Sequence, residues 1–214
     1  MNKRILLLGG GGHCESVLDS LLGLGIYAEI GIIDNEKFLG SGVAGAFVVG
    51  CDDDLPALYA AGYGSAFVTI GSIGDTGPRI KIFERLKKLG FETPNIIDPT
   101  AVVGQNVELG TGVYIGKNAV VNAGAKIGNG VIINTGAIVE HGSTIGDFAH
   151  LAPGAILCGR VYVGARTHIG AGCVIRQQIT IGRDTTIGMG SVVLKDIGDH
   201  LVAYGNPCKA VRKK

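Results

Sequence analysis

The sequence predicts two parts: an alternating β/α region over residues 1–91, then an all-β solenoid of six-residue repeats. Every sixth residue from Ile97 to Val193 is Ile, Leu or Val, with no break in phase. Aliphatic residues make up roughly a quarter to a third of an ordinary sequence, so chance does not produce such a run. Upstream, short apolar runs alternate with helix-length segments and glycine-rich turns. The 37 glycines against only 6 prolines, in a chain that is 46% hydrophobic, point to a periodic backbone requirement and not to disorder.

The β/α region reads in order as a strand at Arg4–Gly9, a glycine run at Gly9–Gly12 and a helix to Gly23. A strand at Glu29–Asp34, a helix near Asp54–Gly62, a strand at Ser65–Gly71 and a helix at Pro78–Leu89 follow. In the repeat, the position two before each aliphatic is usually small or β-branched (Ala101, Val107, Val113, Ala119, Ala125), and the position after it is often Gly. Residues two apart share a strand face, so each repeat sends one small and one large side chain inward. The glycine is then expected to turn the chain with positive φ. Three short strands close a coil of 18 residues. The solenoid spans 92–198 and a tail 199–214.

Net charge is +1, which gives no broad attraction to nucleic acid or to an anionic membrane. The five cysteines (Cys14, Cys51, Cys158, Cys173 and Cys208) form no CxxC pair, which fits reduced thiols in a cytoplasmic protein, and no metal site is expected. The Lys3–Leu8 start is too short and too soon interrupted by glycine for a signal peptide, and no stretch is long enough to span a membrane.

The glycine run between strand and helix suits a phosphate, because first-turn N–H groups and the helix dipole favour an anion. Gly9-x-Gly11 partly fits a dinucleotide fingerprint, but the third position is Cys14. Asp34 follows the second strand, where an acid meets a ribose. NAD, another nucleotide-linked ligand and a ligand-free turn all remain open from these residues.

The repeat resembles the hexapeptide-repeat acyltransferases. The Gly-His turn joined directly to such a repeat narrows the resemblance to the sugar-nucleotide acetyltransferases, most closely the UDP-4-amino-sugar (bacillosamine) N-acetyltransferase type. Sialic acid O-acetyltransferases share the architecture. The most specific stretches are Asn134-Thr135-Gly136-Ala137-Ile138-Val139-Glu140-His141 and Ile145-Gly146-Asp147-Phe148-Ala149-His150. The resemblance implies a Rossmann-like α/β N-terminal domain, a left-handed parallel β-helix, a homotrimer, acetyl-CoA as co-substrate and a UDP-linked amino sugar as acceptor. It assigns the nucleotide to Gly12, His13, Cys14, Glu15, Asp34, Asn35, Gly71 and Arg79.

By the same resemblance His141 is the general base, and His150 contacts acetyl-CoA near the thioester. The repeat phase puts His141 at a coil corner and His150 outward on a flat face half a coil away, so the two are expected to meet only between subunits. His168 stacks beyond His150. Asn134 and Glu140 occupy positions where glycine is usual and are candidate catalytic residues. Gly159, Gly170 and Ala171 are expected to admit a pantetheine arm. Pro207 and Lys209 lie in Gly205-Asn206-Pro207-Cys208-Lys209, which resembles the segment ending many of these enzymes. One departure stands out. The family carries an acid directly after the base, and here that position is Gly142; Glu140 or Asp147 is left to replace it. The alternatives are O-acetylation of a sialic acid or related sugar, and a nucleotide-binding homologue with impaired catalysis.

Overall fold

A computed structural model describes residues 3–214. The chain divides into two compact units: residues up to Gly71 with Gly77–Ile96, and Ser72–Thr76 with Ile97–Lys214.

The first unit is a five-stranded sheet with three α-helices in its sequence. β1 (Arg4–Leu8), β2 (Glu29–Ile33), β3 (Gly42–Val43), β4 (Ala46–Gly50) and β5 (Ser65–Val68) lie in the order β3-β4-β2-β1-β5. All pairs are parallel except β3–β4. β1 reads as an unbroken apolar run because Ile5–Leu8 is buried throughout. The helices are α1 (Gly12–Leu24), α2 (Leu55–Ala60) and α3 (Gly77–Leu89). The β3–β4 hairpin has no counterpart in the sequence reading; its strands are too short and its outward residues, Phe47 and Val49, too apolar to show clean alternation. The strand predicted to reach Gly71 ends at Val68.

The second unit is a triangular prism of two-residue strands. One face carries Ile96–Ile97, Tyr114–Ile115, Ile132–Ile133, His150–Leu151, His168–Ile169 and Thr186–Ile187. A second carries Val102–Val103, Val120–Val121, Ile138–Val139, Ile156–Leu157, Val174–Ile175 and Val192–Val193. The third carries Glu108–Leu109, Lys126–Ile127, Thr144–Ile145, Tyr162–Val163 and Thr180–Ile181. Strands 18 residues apart pair in parallel and in register. The predicted inward columns form one continuous core from Val113 to Val193, which Ile197 and Ala203 extend. Polar residues in the small inward column stay satisfied: Thr167 Oγ1 donates to Gly182 O at 2.6 Å and Ser191 Oγ to Gly188 O at 2.6 Å. Residues 199–214 form an antiparallel hairpin, Leu201–Gly205 with Cys208–Lys213, that extends the first face.

The glycine after each aliphatic does a different job from the one expected. Those glycines do not take positive φ. Left-handed residues fall two positions later, at Gly112, Gly124, Gly136 and Gly142 and also at Asn118, Arg160 and Gln178. At Gly146, a Cβ would lie 2.5 Å from Ala165 N, and at Gly170 2.5 Å from Met189 N. Close stacking of successive coils excludes a side chain there, because backbone cannot yield. Gly170 therefore serves coil packing, and its bare α-carbon does not open a path for a ligand on that side.

Among the described residues no helix is long and apolar enough to cross a membrane, and no cluster of His, Cys, Asp and Glu could hold a metal ion.

Candidate active site

Two surface depressions, one in each unit, hold four of the predicted residues: Asp34 and Asn35 in the first, His141 and Gly159 in the second. In the first, an open cleft of about 470 Å³ is lined by Gly9, Asp34, Asn35, Glu36, Cys51, Asp52 and Asp53, with Ile33, Ile70 and Ile82. α1 starts at this edge of the sheet. Its N-cap, Gly11, makes no side-chain cap, so the first turn offers backbone N–H groups and the positive end of the helix dipole. Asp34 ties the turn down: Oδ2 accepts the Gly10 N–H at 2.6 Å and Oδ1 the Asn35 N–H at 2.6 Å. Gly12 and Glu15 are exposed in the first turn.

His13 is half-buried by surface area but closely surrounded by protein. Burial, and then the Arg79 guanidinium, push its pKa down to about 4. The Arg79 side chain is buried on α3, which brings its own pKa down to about 10. Gly71 sits beside them: a Cβ there would lie 3.9 Å from that of His13.

Cys14 is a correction. It is fully buried, its N–H is spent on Gly11 O, and burial raises its thiol pKa to about 11. It faces away from solvent because helical spacing places it with Val17, Leu18 and Leu21 on the core side of α1, so it is a packing residue and not a ligand contact. Glu36, Cys51, Asp52 and Asp53 escaped the sequence reading. The acidic run Asp52-Asp53-Asp54 just after a strand was the available signal, though Asp54 caps the Cys51 N–H and Asp53 pairs with Arg85.

In the second unit, an open groove of about 480 Å³ is lined by His141, Cys158, Gly159, Arg160, Gln177 and Gln178. It follows the corner between the second and third faces. The His141 side chain is 64% exposed there. Its Nδ1 lies 3.3 Å from Glu140 Oε2. A carboxylate only accepts, so Nδ1 carries the proton and Nε2 is left as the basic nitrogen. The His141 ring and backbone N–H hold the Glu140 carboxyl below the usual carboxylate range. Asp147 is engaged elsewhere, accepting the Asn129 N–H at 2.7 Å. Of the two acids left to replace the one missing at Gly142, Glu140 is the one at the ring.

His150 points outward from the prism as the phase predicts, yet it is buried. The segment Ser72–Thr76 covers it, and its Nδ1 donates to the Ser72 carbonyl at 3.1 Å. A covering segment from 78 residues upstream leaves no trace in the local pattern. Its Nε2 lies 3.5 Å from Asn134 Nδ2, and its ring packs edge-on against His168 with centroids 4.9 Å apart.

Asn134 occupies the corner between the first and second faces, so within one chain it and His141 stand at different corners. Gly170 and Ala171 lie on the Asn134 corner, Gly159 on the His141 corner. Pro207 joins the strands of the C-terminal hairpin, and Lys209 is exposed opposite Tyr204.

Comparison with known proteins extends over nearly the whole chain. Residues 4–86 match the PglD N-terminal domain, and residues 160–195 match the bacterial transferase hexapeptide (six repeats). PerB from Caulobacter crescentus, solved in complex with CoA and GDP-perosamine, is 38% identical. It superposes with a TM-score of 0.91 over 98% of this chain and 97% of its own. The acetyltransferase domain of PglB from Neisseria gonorrhoeae is 35% identical, with a TM-score of 0.92 over 98% of this chain and 100% of its own. A second structure of that domain contains acetyl coenzyme A. WeeI from Acinetobacter baumannii is 25% identical, with a TM-score of 0.86 over 98% and 100% of the two chains. No curated protein matches closely enough to count as a relative. With an α/β N-terminal domain, a left-handed β-helix and this similarity along its length, the chain belongs to the sugar-nucleotide N-acetyltransferases of the hexapeptide-repeat family and is an acyltransferase.

Proposed function

We propose that the protein transfers the acetyl group of acetyl-CoA to the 4-amino group of a UDP-linked amino-dideoxy sugar, in a ternary complex with His141 as general base. The observation that carries this reading is the His141 ring in an open groove, with Nδ1 committed to Glu140 and Nε2 available. The amine attacks the thioester carbonyl, the C–S bond breaks, and the ammonium proton passes to Nε2 and on to the departing thiolate. Holding both substrates together supplies much of the remaining acceleration.

The N-terminal cleft suits the nucleotide. The uncapped start of α1 favours a phosphate, while Asp34, Glu36 and Asp52 offer acceptors to ribose hydroxyls and base N–H groups. Gly12, His13, Glu15, Asn35, Gly71 and Arg79 remain the proposed nucleotide contacts. His150, Gly159, Ala171, Pro207 and Lys209 remain the proposed contacts to CoA. A homotrimer is part of the reading. The outward residues of the second face, Val102, Val120, Ile138, Ile156, Val174 and Val192, are all aliphatic, and that face is bordered by the Asn134 corner on one side and the His141 corner on the other. Packing such faces around a threefold axis sets His141 of one subunit near Asn134 and His150 of the next. A dependence on acetyl-CoA makes the cytoplasm, with its acetyl-CoA pool, part of the same reading.

A GDP-linked sugar is the second reading, favoured by the GDP-perosamine bound to the Caulobacter relative. Incubating the protein with acetyl-CoA and, separately, UDP-, GDP- and dTDP-linked 4-amino sugars and sialic acid, with products read by mass spectrometry, tests both. The expected result is a gain of one acetyl on the UDP sugar. Acetylation of sialic acid alone, or of no sugar nucleotide, would overturn the reading.

A further inference from the structure

Asn122 stands 18 residues before Glu140 on the same corner, one coil away, and it lies outside the residues the sequence pattern singled out. Its amide is oriented from both ends. Oδ1 accepts the Ala123 N–H at 3.0 Å, which leaves Nδ2 to donate to Glu140 Oε2 at 3.1 Å. That same Oε2 accepts from His141 twice, from Nδ1 and from the backbone N–H, each at 3.3 Å. The backbone supports the arrangement: Asn122 N–H donates to Val139 O at 2.8 Å, and the pairs Val120–Ile138 and Val121–Val139 lie directly before it. On the other side of the ring, Gly159 has no left-handed backbone that would require glycine. A Cβ there would lie 2.8 Å from Nε2 and 2.7 Å from Cε1 of His141, so it is the ring that excludes a side chain.

We infer that Asn122 is a positioning residue for acetyl transfer: it holds the Glu140 carboxylate, which in turn fixes the His141 ring with Nε2 over Gly159. The inference rests on His141 being the base. Its physical content is specific to this chain. The acid that would follow the base is Gly142, at φ 66° with no side chain to offer, so the carboxylate comes from the residue before. The Glu140 side chain is 37% exposed and long, and an unrestrained rotamer would spend much of its time away from the ring. A donor from the preceding coil restricts it to the geometry in which it stabilises the imidazolium formed during transfer. The charged and titratable groups around the ring are Glu140 beside it and Cys158 and Arg160 on the following coil.

The test is kcat, both KM values and the pH profile of kcat/KM for the full-length wild type and for Asn122→Ala, Asn122→Asp, Glu140→Gln and His141→Ala. Removing an anion beside an imidazole disfavours its protonated form, so the acid limb of the profile moves to lower pH. For Glu140→Gln the expected change is about a tenfold loss of kcat and a limb moved to lower pH. For Asn122→Ala it is about a threefold to tenfold loss of kcat, a smaller shift in the same direction and unchanged KM for both substrates. Asn122→Asp keeps the shape but has no donor and sets two carboxylates together, so its kcat falls below that of Asn122→Ala. Unmoved acid limbs in Asn122→Ala and Glu140→Gln, or a loss confined to KM or to melting temperature, would overturn the inference while leaving an inactive His141→Ala consistent with the base. An active His141→Ala would instead overturn the base assignment and the inference with it.

Discussion

The corner at His141 and the flat face at His150 put the same residue type to opposite uses. At the corner the imidazole is exposed, lies beside a carboxylate and keeps Nε2 accessible. On the face, His150 is covered by Ser72–Thr76 and hydrogen-bonds a neutral carbonyl, and His168 packs against it with its pKa pushed down by burial and then by Lys214. An exposed ring with an anionic partner can take up and release a proton. A buried ring held by a neutral carbonyl serves as a fixed hydrogen-bonding and packing group. The contrast shows that the repeat supplies both environments: the corner leaves the His141 ring open, while the segment Ser72–Thr76 closes over the face at His150.

The contrast can be broken or sharpened experimentally. The largest effect after removal of the base itself is expected from Gly159→Ala, whose Cβ would displace the His141 ring; a misplacement of about 1 Å costs on the order of a hundredfold in kcat. Near-normal turnover by this variant would show that the ring position does not matter. His150→Ala is expected to lower kcat/KM by roughly tenfold, chiefly through KM for acetyl-CoA, and to reduce thermal stability because the Ser72 carbonyl loses a buried partner worth about 1–3 kcal/mol. A loss in kcat equal to that of a His141 variant would erase the distinction between the two.

The smallest effect is a pH dependence of stability. His13 and His168 have pKa values lowered by folding, so the unfolded chain binds more protons as pH falls below about 6.5. Stability from these groups is complete above that pH and is lost as it falls, through about 4 in the case of His13. His13 alone is worth on the order of 3 kcal/mol by the bottom of this window. Thermal melts between pH 7 and 4 check it. His168→Asn is expected to flatten the slope.

The solenoid was legible in the sequence because a strict period of six leaves no freedom in which residues point inward, so the core from Val113 to Val193 could be read directly, while its extension to Ala203 in the C-terminal hairpin could not. The corner position of His141 followed from the same phase. The jobs of the glycines were not legible, because Gly146 and Gly142 look alike in a string, yet one is required by the next coil and the other by its φ. The burial of His150 depends on Ser72, and that of Cys14 on helical spacing at the very start of α1. The β3–β4 hairpin and the acidic lining of the N-terminal cleft depend on strands of two to five residues with weak alternation. The Asn122–Glu140–His141 series needed the coil stacking to be seen in three dimensions.

The proposed role of His141 is that of base in an acetyl transfer. It is tested most directly by measuring turnover of wild type and His141→Ala with saturating acetyl-CoA and saturating UDP-4-amino sugar. A loss in kcat of about 10²–10⁴ with the KM values nearly retained is the predicted result. Turnover within a few-fold of wild type would contradict it.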